Sequence, residues 1–249
     1  MTGKTDHQII LSGGMPRAGS AWFYNLTRDI WLAAGGDDIR EIREHYHLEK
    51  VLTEVNHNIT DFTPARTLKI LKPFLDGKSF NVKIHPAPQF AGRILITLGV
   101  IRPSYIYRDP RDALLSAYEY GRRVEKTGRE NAFSYLDTMD KAIDFMRGYM
   151  RDWKIWMKIA DPFIFRYEDL LNDFDRQAKH LCKFLKVDPE RSAIKNAIDL
   201  NRPQDAAQKA GVHFSKGKIG RFRQALTPEQ IAKCNKLFAA YLHKMGYEI

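Results

Sequence analysis

The chain has 249 residues, 44% of them hydrophobic, and a formal net charge of +10 at pH 7. That length supplies the core of one α/β domain, no Pro-, Gly- or Ser-rich linker divides residues 1–249, and so a single domain is expected. The charge implies an anionic partner, while the longest apolar run, Ile94 to Ile101, is far short of a membrane span and Met1 to Gln8 lacks a secretory core, so a cytoplasmic protein with no membrane partner is expected.

His7 to Ser12 predicts a short buried strand that breaks into the turn Gly13-Gly14-Met15-Pro16-Arg17-Ala18-Gly19. Ser20 to Ala34 then carries apolar residues at helical spacing, stopped by Gly35-Gly36, with Ser20 at the N-cap or in the first turn. A glycine turn entering a helix N-terminus is an anion cradle. From Gly14 the spacing is Gly-x-x-x-x-Gly-Ser, the nucleotide-triphosphate loop up to the point where that loop requires lysine. The cation stands instead at Arg17, and an indole follows at Trp22. Residues Asp37 to Lys78 are charged and irregular, with helical periodicity around Ile39 to Val55 and Pro64 to Leu75. Phe80 to Ile84 predicts a second strand, ended by His85-Pro86. Ser104 to Tyr107 predicts a third, running into Arg108-Asp109-Pro110 and a helix over Arg111 to Arg122.

Helical periodicity next covers Ala132 to Ile159. A fourth strand at Phe163 to Phe165 ends at Arg166-Tyr167-Glu168-Asp169-Leu170, and helices follow to about Leu185 and from Asp188 to about Asp199. Asn201 to Phe222 is polar and longer than usual connections, after which Thr227-Pro228-Glu229 opens a C-terminal amphipathic helix to about Met245. Strands alternating with helices imply a mainly parallel central sheet flanked by helices, with ligands at the carboxyl ends of the strands. Four motifs follow predicted strands and so converge on one crevice. Cys182 and Cys234 make no metal-ligand cluster, no His-Glu-x-x-His pattern occurs, and no metal is expected.

These motifs together resemble the PAPS-dependent sulfotransferase family, PAPS being 3′-phosphoadenosine 5′-phosphosulfate. Pro16-Arg17-Ala18-Gly19-Ser20-Ala21-Trp22 is similar to the family's 5′-phosphosulfate loop, and Lys83-Ile84-His85 to its Lys-Thr-His. Arg108-Asp109-Pro110-Arg111-Asp112 with Ser116 is similar to its 3′-phosphate signature, Arg166-Tyr167-Glu168-Asp169-Leu170 to its Tyr-Glu-Asp, and Lys216-Gly217 with Gly220 to its loop over the 3′-phosphate. The chain departs from the pattern at Ala21, where a hydroxyl is usual, and at Ser215, where an arginine is usual, with Lys216, Lys218 and Arg221 as substitutes. It also lacks the Ser-Phe element before that loop and the Lys-Thr-Val-Glu type of dimerisation motif, so no dimer of that kind is inferred.

The resemblance implies a role for each position. Arg17, whose guanidinium suits a phosphate or sulfate oxygen, holds the 5′-phosphosulfate together with Ala18, Gly19, Ser20 and Ala21. Trp22 and Tyr167 contact adenine, although on sequence alone both read equally as core. Arg108 and Ser116, with Lys216 and Gly217, grip the 3′-phosphate. His85 is the general base, and Lys83 and Arg17 stabilise the charge that develops on transfer. The reaction is an in-line sulfuryl transfer from PAPS to a hydroxyl of a small-molecule or glycan acceptor, leaving 3′-phosphoadenosine 5′-phosphate (PAP), without nucleic acid. Two other readings stand beside it: a nucleotide kinase, against which the missing lysine counts, and a non-catalytic protein that binds a sulfated or phosphorylated ligand.

Overall fold

Six consecutive buried residues, Ile9–Gly14, form β1, and burial on both faces makes it the middle of the sheet. The computed structural model describes residues 7–159, 162–203 and 217–249. With β2 (Asn58–Ile59), β3 (Phe80–Ile84), β4 (Ile101–Tyr107) and β5 (Phe163–Arg166), β1 builds a parallel five-stranded sheet in the order β2-β3-β1-β4-β5. Alternate side chains of β1 go to opposite faces. Ile9 and Leu11 join one core with Val82, Ile84 and Tyr105, while Ile10 joins the other with Ile106 and Phe165.

The helices among the described residues are α1 (Ser20–Ala33), α2 (Ile39–His45), α3 (Pro64–Leu75), α4 (Phe90–Thr97), α5 (Pro110–Glu125), α6 (Met139–Trp156), α7 (Tyr167–Asn172), α8 (Phe174–Leu185), α9 (Ser192–Asp199), α10 (Phe222–Ala225) and α11 (Pro228–Lys244). Trp22, Phe23, Leu26 and Ile30 of α1 fill the second core with α8 and α9. Residues from α2 to α6 and from α11 fill the first. Cys182 and Cys234 are free buried thiols. The C-terminal helix starts as its sequence predicts, with a capping box in which Thr227 and Gln230 satisfy each other's backbone N–H groups.

Several boundaries differ from the sequence expectation, each for a local reason. β1 runs through both glycines, because Gly13 and Gly14 stay in register with Tyr105 and Ile106 and the turn begins only at Met15. β4 starts at Ile101 rather than Ser104, with Pro103 inside it. β5 pairs with β4 only from Ser104 onward, so Pro103 has a strand partner on one side alone, where proline is tolerated. The helix expected from Ala132 starts at Met139, where the Thr138 hydroxyl accepts from the Lys141 N–H. Residues 131–137 form turns instead. The helix expected from Asp188 starts at Ser192. α4 and the two-residue β2 have no counterpart in the sequence reading, being too short to show a period.

The turn before α6 packs closely on α5. A Cβ at Gly121 would lie 2.2 Å from the Phe133 carbonyl oxygen. Alanine normally improves a helix interior by about 1 kcal/mol over glycine. Here Gly121→Ala is expected to reverse that sign, costing about 1–3 kcal/mol as an overpacked site and lowering the Tm measured by thermal melting.

Candidate active site

Two left-handed residues shape the turn after β1, Arg17 with φ 65° and Gly19 with φ 75°. Glycine enters this region freely, and at Gly19 it is needed twice over, since a Cβ would lie 2.6 Å from the Tyr167 ring. Arginine does not enter it freely, so the Arg17 backbone holds strain that the surrounding turn must offset. Gly19 is the N-cap and Ser20 the first residue of α1. The first N–H groups of α1 have no carbonyl within the helix and face an anion site instead. The Arg17 side chain crosses to α5, where its Nε donates to Ser116 Oγ at 3.3 Å and its guanidinium lies 4.6 Å over the Tyr120 ring. Burial, with repulsion from Arg108 and Arg123, lowers its pKa to about 10 against the pull of Tyr120, and it stays charged at neutral pH.

β3 delivers Lys83, and the residue after its end is His85, two positions on and on the same side. Lys83 is 5% exposed, and burial followed by the Arg17 cation pushes its ammonium down to about 7, with no described carboxylate opposing the shift. His85 Nδ1 lies 2.8 Å from the Gly14 carbonyl oxygen. A carbonyl only accepts, so Nδ1 carries the proton and Nε2 keeps its lone pair. Burial, then Lys83, and more weakly Arg17, push the imidazole down to about 3, although the Gly14 carbonyl favours the protonated ring. The ring is neutral at pH 7.

A buried polar network ties the remaining motifs together. Asp109 caps α5 through the Arg111 N–H and pairs with the Arg111 guanidinium at 2.8 Å. Glu168 accepts from the Asp109 N–H and from the Tyr247 hydroxyl, joining the Tyr-Glu-Asp segment to the C-terminal residues. The Asp112 carboxylate accepts from the N–H groups of Gly220 and Phe222 at 2.7 and 3.0 Å and lies 3.5 Å from Arg108. It therefore holds the chain before α10 against the site. Arg108 donates to the Lys218 carbonyl at 2.9 Å and lies 4.4 Å over the Tyr167 ring, while its buried Nε has no partner among the described residues.

In front of this network a cleft of about 300 Å³ opens at the carboxyl ends of β1, β3 and β4. Of the residues singled out from sequence, Arg17, Gly19, Ser20, Ala21, Trp22, Lys83, His85, Arg108, Ser116, Tyr167 and Gly217 line it. Ala18 does not; it is fully buried in the first core. Lys216 and Ser215 lie outside the described residues. Lys218 and Arg221 line the cleft as well. Trp22 is 1% exposed, donates from Nε1 to the Asn201 carbonyl at 2.8 Å and stacks on Phe174 at 5.9 Å, so the indole is core and cleft wall together. Ser116 bonds Arg17 rather than standing with Arg108. Asn56, Tyr120, Asn131, Ala132 and Phe133 also line the cleft. Tyr120, Ala132 and Phe133 fell within predicted helical segments, Tyr120 and Phe133 in stretches rich in aromatic and basic residues, whereas no pattern marked Asn56 and the one local cue at Asn131 was its place three residues before Ser134, a side-chain turn pattern.

The sulfotransferase domain family model matches residues 6–246. The chain belongs to that family. Flavonol 4′-sulfotransferase of Flaveria chlorifolia is 22% identical to this sulfotransferase over 261 residues, covering 93% of this chain and 78% of the relative. Flavonol 3-sulfotransferase of Flaveria bidentis is 27% identical over 171 residues, covering 57% and 55%. Cytosolic sulfotransferase 17 of Arabidopsis thaliana is 24% identical over 178 residues, covering 57% and 50%. The last two matches thus span about half the length of those relatives. Among solved structures, a mouse sulfotransferase complexed with PAP superposes with a TM-score of 0.63 at 14% identity, covering 96% of this chain and 86% of that one. Retinol dehydratase in a complex with retinol and PAP superposes at 0.60 and 17% identity, covering 96% and 82%. The shared fold is the sulfotransferase α/β fold. No described helix is long and apolar enough to cross a membrane.

Lys83 has a consequence for stability. Its ammonium is ordinary in the unfolded chain, at 10.5, and near 7 in the fold, so between these values the unfolded state binds more protons and stability rises with pH. Below about 7 the folded state carries the full cost of the buried charge. Lys83→Met is expected to raise Tm at pH 7 and to flatten the rise of Tm from pH 7 to 10, as read by thermal melts across that range.

Proposed function

We propose that this sulfotransferase is PAPS-dependent, acts on a hydroxyl of a small-molecule acceptor, and uses His85 as its general base. The observation that carries the reading is the Nδ1 hydrogen bond from His85 to Gly14, which leaves Nε2 as a proton acceptor beside two cations that have no described carboxylate between them. The donor's chemistry fits the residues present. Buried Lys83 and Arg17, the open N–H groups of the α1 N-terminus and the unpartnered Arg108 Nε suit a ligand with anionic groups at two ends. PAP in solved structures of this fold, and the flavonol acceptors in the names of two relatives, support the same assignment. A cytoplasmic location belongs to the same proposal, supported by the cytosolic relative.

When bound, PAPS supplies a sulfuryl group: the acceptor O–S bond forms, the S–O bond to the 5′-phosphate breaks, and PAP leaves. His85 Nε2 takes the acceptor's hydroxyl proton as its oxygen commits to sulfur. Lys83 and Arg17 hold the charge that grows on the oxygen left on the 5′-phosphate, in a site where burial strengthens their field. Ser20, the loop N–H groups of Gly19 and Ala21, and the guanidinium of Arg17 orient the phosphosulfate. Arg108, with Gly217 and Lys218 beside it, takes the 3′-phosphate, and Trp22 and Tyr167 bound the space for adenine. Neither the kinase nor the non-catalytic reading has an observation in its favour.

His85→Asn is expected to lower kcat by about a hundredfold or more while the PAP dissociation constant, measured by calorimetry, stays near that of the parent. Full turnover in that variant removes the base assignment. A second expectation follows from Lys83, whose cation is lost in the free enzyme above about pH 7. The kcat/KM for sulfuryl transfer should fall as pH rises past 7, and Lys83→Arg, which stays charged, should move that fall to higher pH.

A further inference from the structure

Asn131 stands in the turn between α5 and α6 and lines the cleft with Tyr120 and Phe133. Its Oδ1 is committed, accepting from the Phe133 N–H at 2.7 Å, and its own N–H donates to Ser134 Oγ at 2.8 Å. These bonds settle which end of the carboxamide is oxygen and leave Nδ2 as a donor. Nδ2 is buried and has no partner among the described residues. An unpaired buried amide donor costs about as much as a lost hydrogen bond, and native structures rarely keep one without a use. Close packing of Phe133 on Gly121 holds the turn, and the amide with it, against α5.

The surroundings of this donor are aromatic. Tyr120 and Phe133 meet edge to face at 5.9 Å, and Phe133 meets Phe145 at 5.7 Å. Asn131, Tyr120 and Phe133 lie outside the segments assigned above to PAPS; the Arg17 guanidinium lies over the Tyr120 and Phe133 rings at 4.6 and 5.8 Å, so in this proposal they stand where the donor side of the cleft meets the acceptor side. We propose that Asn131 Nδ2 is a specificity-determining donor for that acceptor. The enzyme prefers planar aromatic hydroxyl compounds that carry a second, hydrogen-bond-accepting oxygen, such as a ring carbonyl, over the same scaffold without it. The inference rests on the sulfuryl-transfer reading and adds to it the acceptor class.

The test compares a hydroxyfluorenone with the equally planar hydroxyfluorene that lacks only its carbonyl, using PAPS as donor and sulfate mass gain as readout. The parent enzyme is expected to favour the carbonyl compound by about tenfold in kcat/KM, the scale of one satisfied buried hydrogen bond. Asn131→Asp keeps the oxygen that the Phe133 N–H needs and removes the donor, and Asn131→Ala removes the whole carboxamide without adding charge. Both are expected to bring the ratio close to one, through the carbonyl compound alone, with KM for PAPS unchanged. A parent enzyme without the preference overturns the proposal, as does a ratio that survives in both variants or a change confined to KM for PAPS. Binding of PAP without sulfation of either compound overturns this inference and leaves the transferase reading standing, whereas absence of PAP binding overturns that reading itself.

Discussion

Three cations at or just beyond strand ends, Arg17, Lys83 and Arg108, meet at one cleft, and one of them, Lys83, has no described carboxylate to meet it. Arg17, Lys83 and Arg108 lose hydration by burial, and Arg17 feels repulsion from both Lys83's site and Arg108. Bringing such charges together opposes folding. Much of the surrounding structure offsets that opposition. The Asp112 carboxylate approaches Arg108 from one side, aromatic faces of Tyr167 and Tyr120 receive the Arg108 and Arg17 guanidiniums, and the two cores hold the strand ends in place. What stays uncompensated is a field suited to an anion with more than one charged group.

The network behind the cleft explains why distant segments serve one site. Asp109, Arg111, Glu168 and Tyr247 contribute no wall to it, yet their hydrogen bonds lock the end of β4, the start of α7 and the C-terminal residues into one register. Arg108 and Tyr167 lie within this register, each next to a locked residue. Asp112 does the same for the chain entering α10, through two backbone N–H groups. Asp109, Asp112 and Glu168 are therefore positioning groups, and of the residues beside them Arg108 and Tyr167 face the cleft.

The part of the cleft to which the donor is proposed to bind was legible in the sequence, because its residues follow strands. A strand end fixes where the next residue goes, so Arg17 after β1, His85 after β3, Arg108 after β4 and Tyr167 after β5 could be placed from an apolar run and a break. The rest of the cleft was less legible. Asn56, Asn131 and Phe133 sit in turns whose shape comes from side-chain hydrogen bonds and from close approach at Gly121, and neither leaves a period to read. The same reason hid α4 and β2 and moved the start of α6, where the apolar residue Phe133 fitted a helical spacing that its Asn131-capped turn does not adopt. β4 begins three residues before its predicted start at Ser104 and takes in Pro103, since which side of β4 lacks a partner is a fact of sheet order rather than of sequence.

The spacing of Lys83 and His85 links the two parts of the cleft. In the free protein burial, with the neighbouring Lys83 and Arg17 charges, keeps the imidazole from holding a proton, so His85 is a weak base whose Nε2 keeps its lone pair. An anionic donor seated against those two cations cancels the repulsion that they exert on the ring, while the Gly14 hydrogen bond, which favours the protonated form, remains. The proton affinity of Nε2 therefore rises when the donor is bound and returns to its low value once the cleft is empty. The same occupancy favours the protonated form of Lys83, the form that stabilises the leaving phosphate oxygen. Two titrating groups two residues apart at the end of β3 thus respond in the same direction to one ligand, and in this reading the base gains strength only when there is a sulfuryl group to receive the acceptor's oxygen.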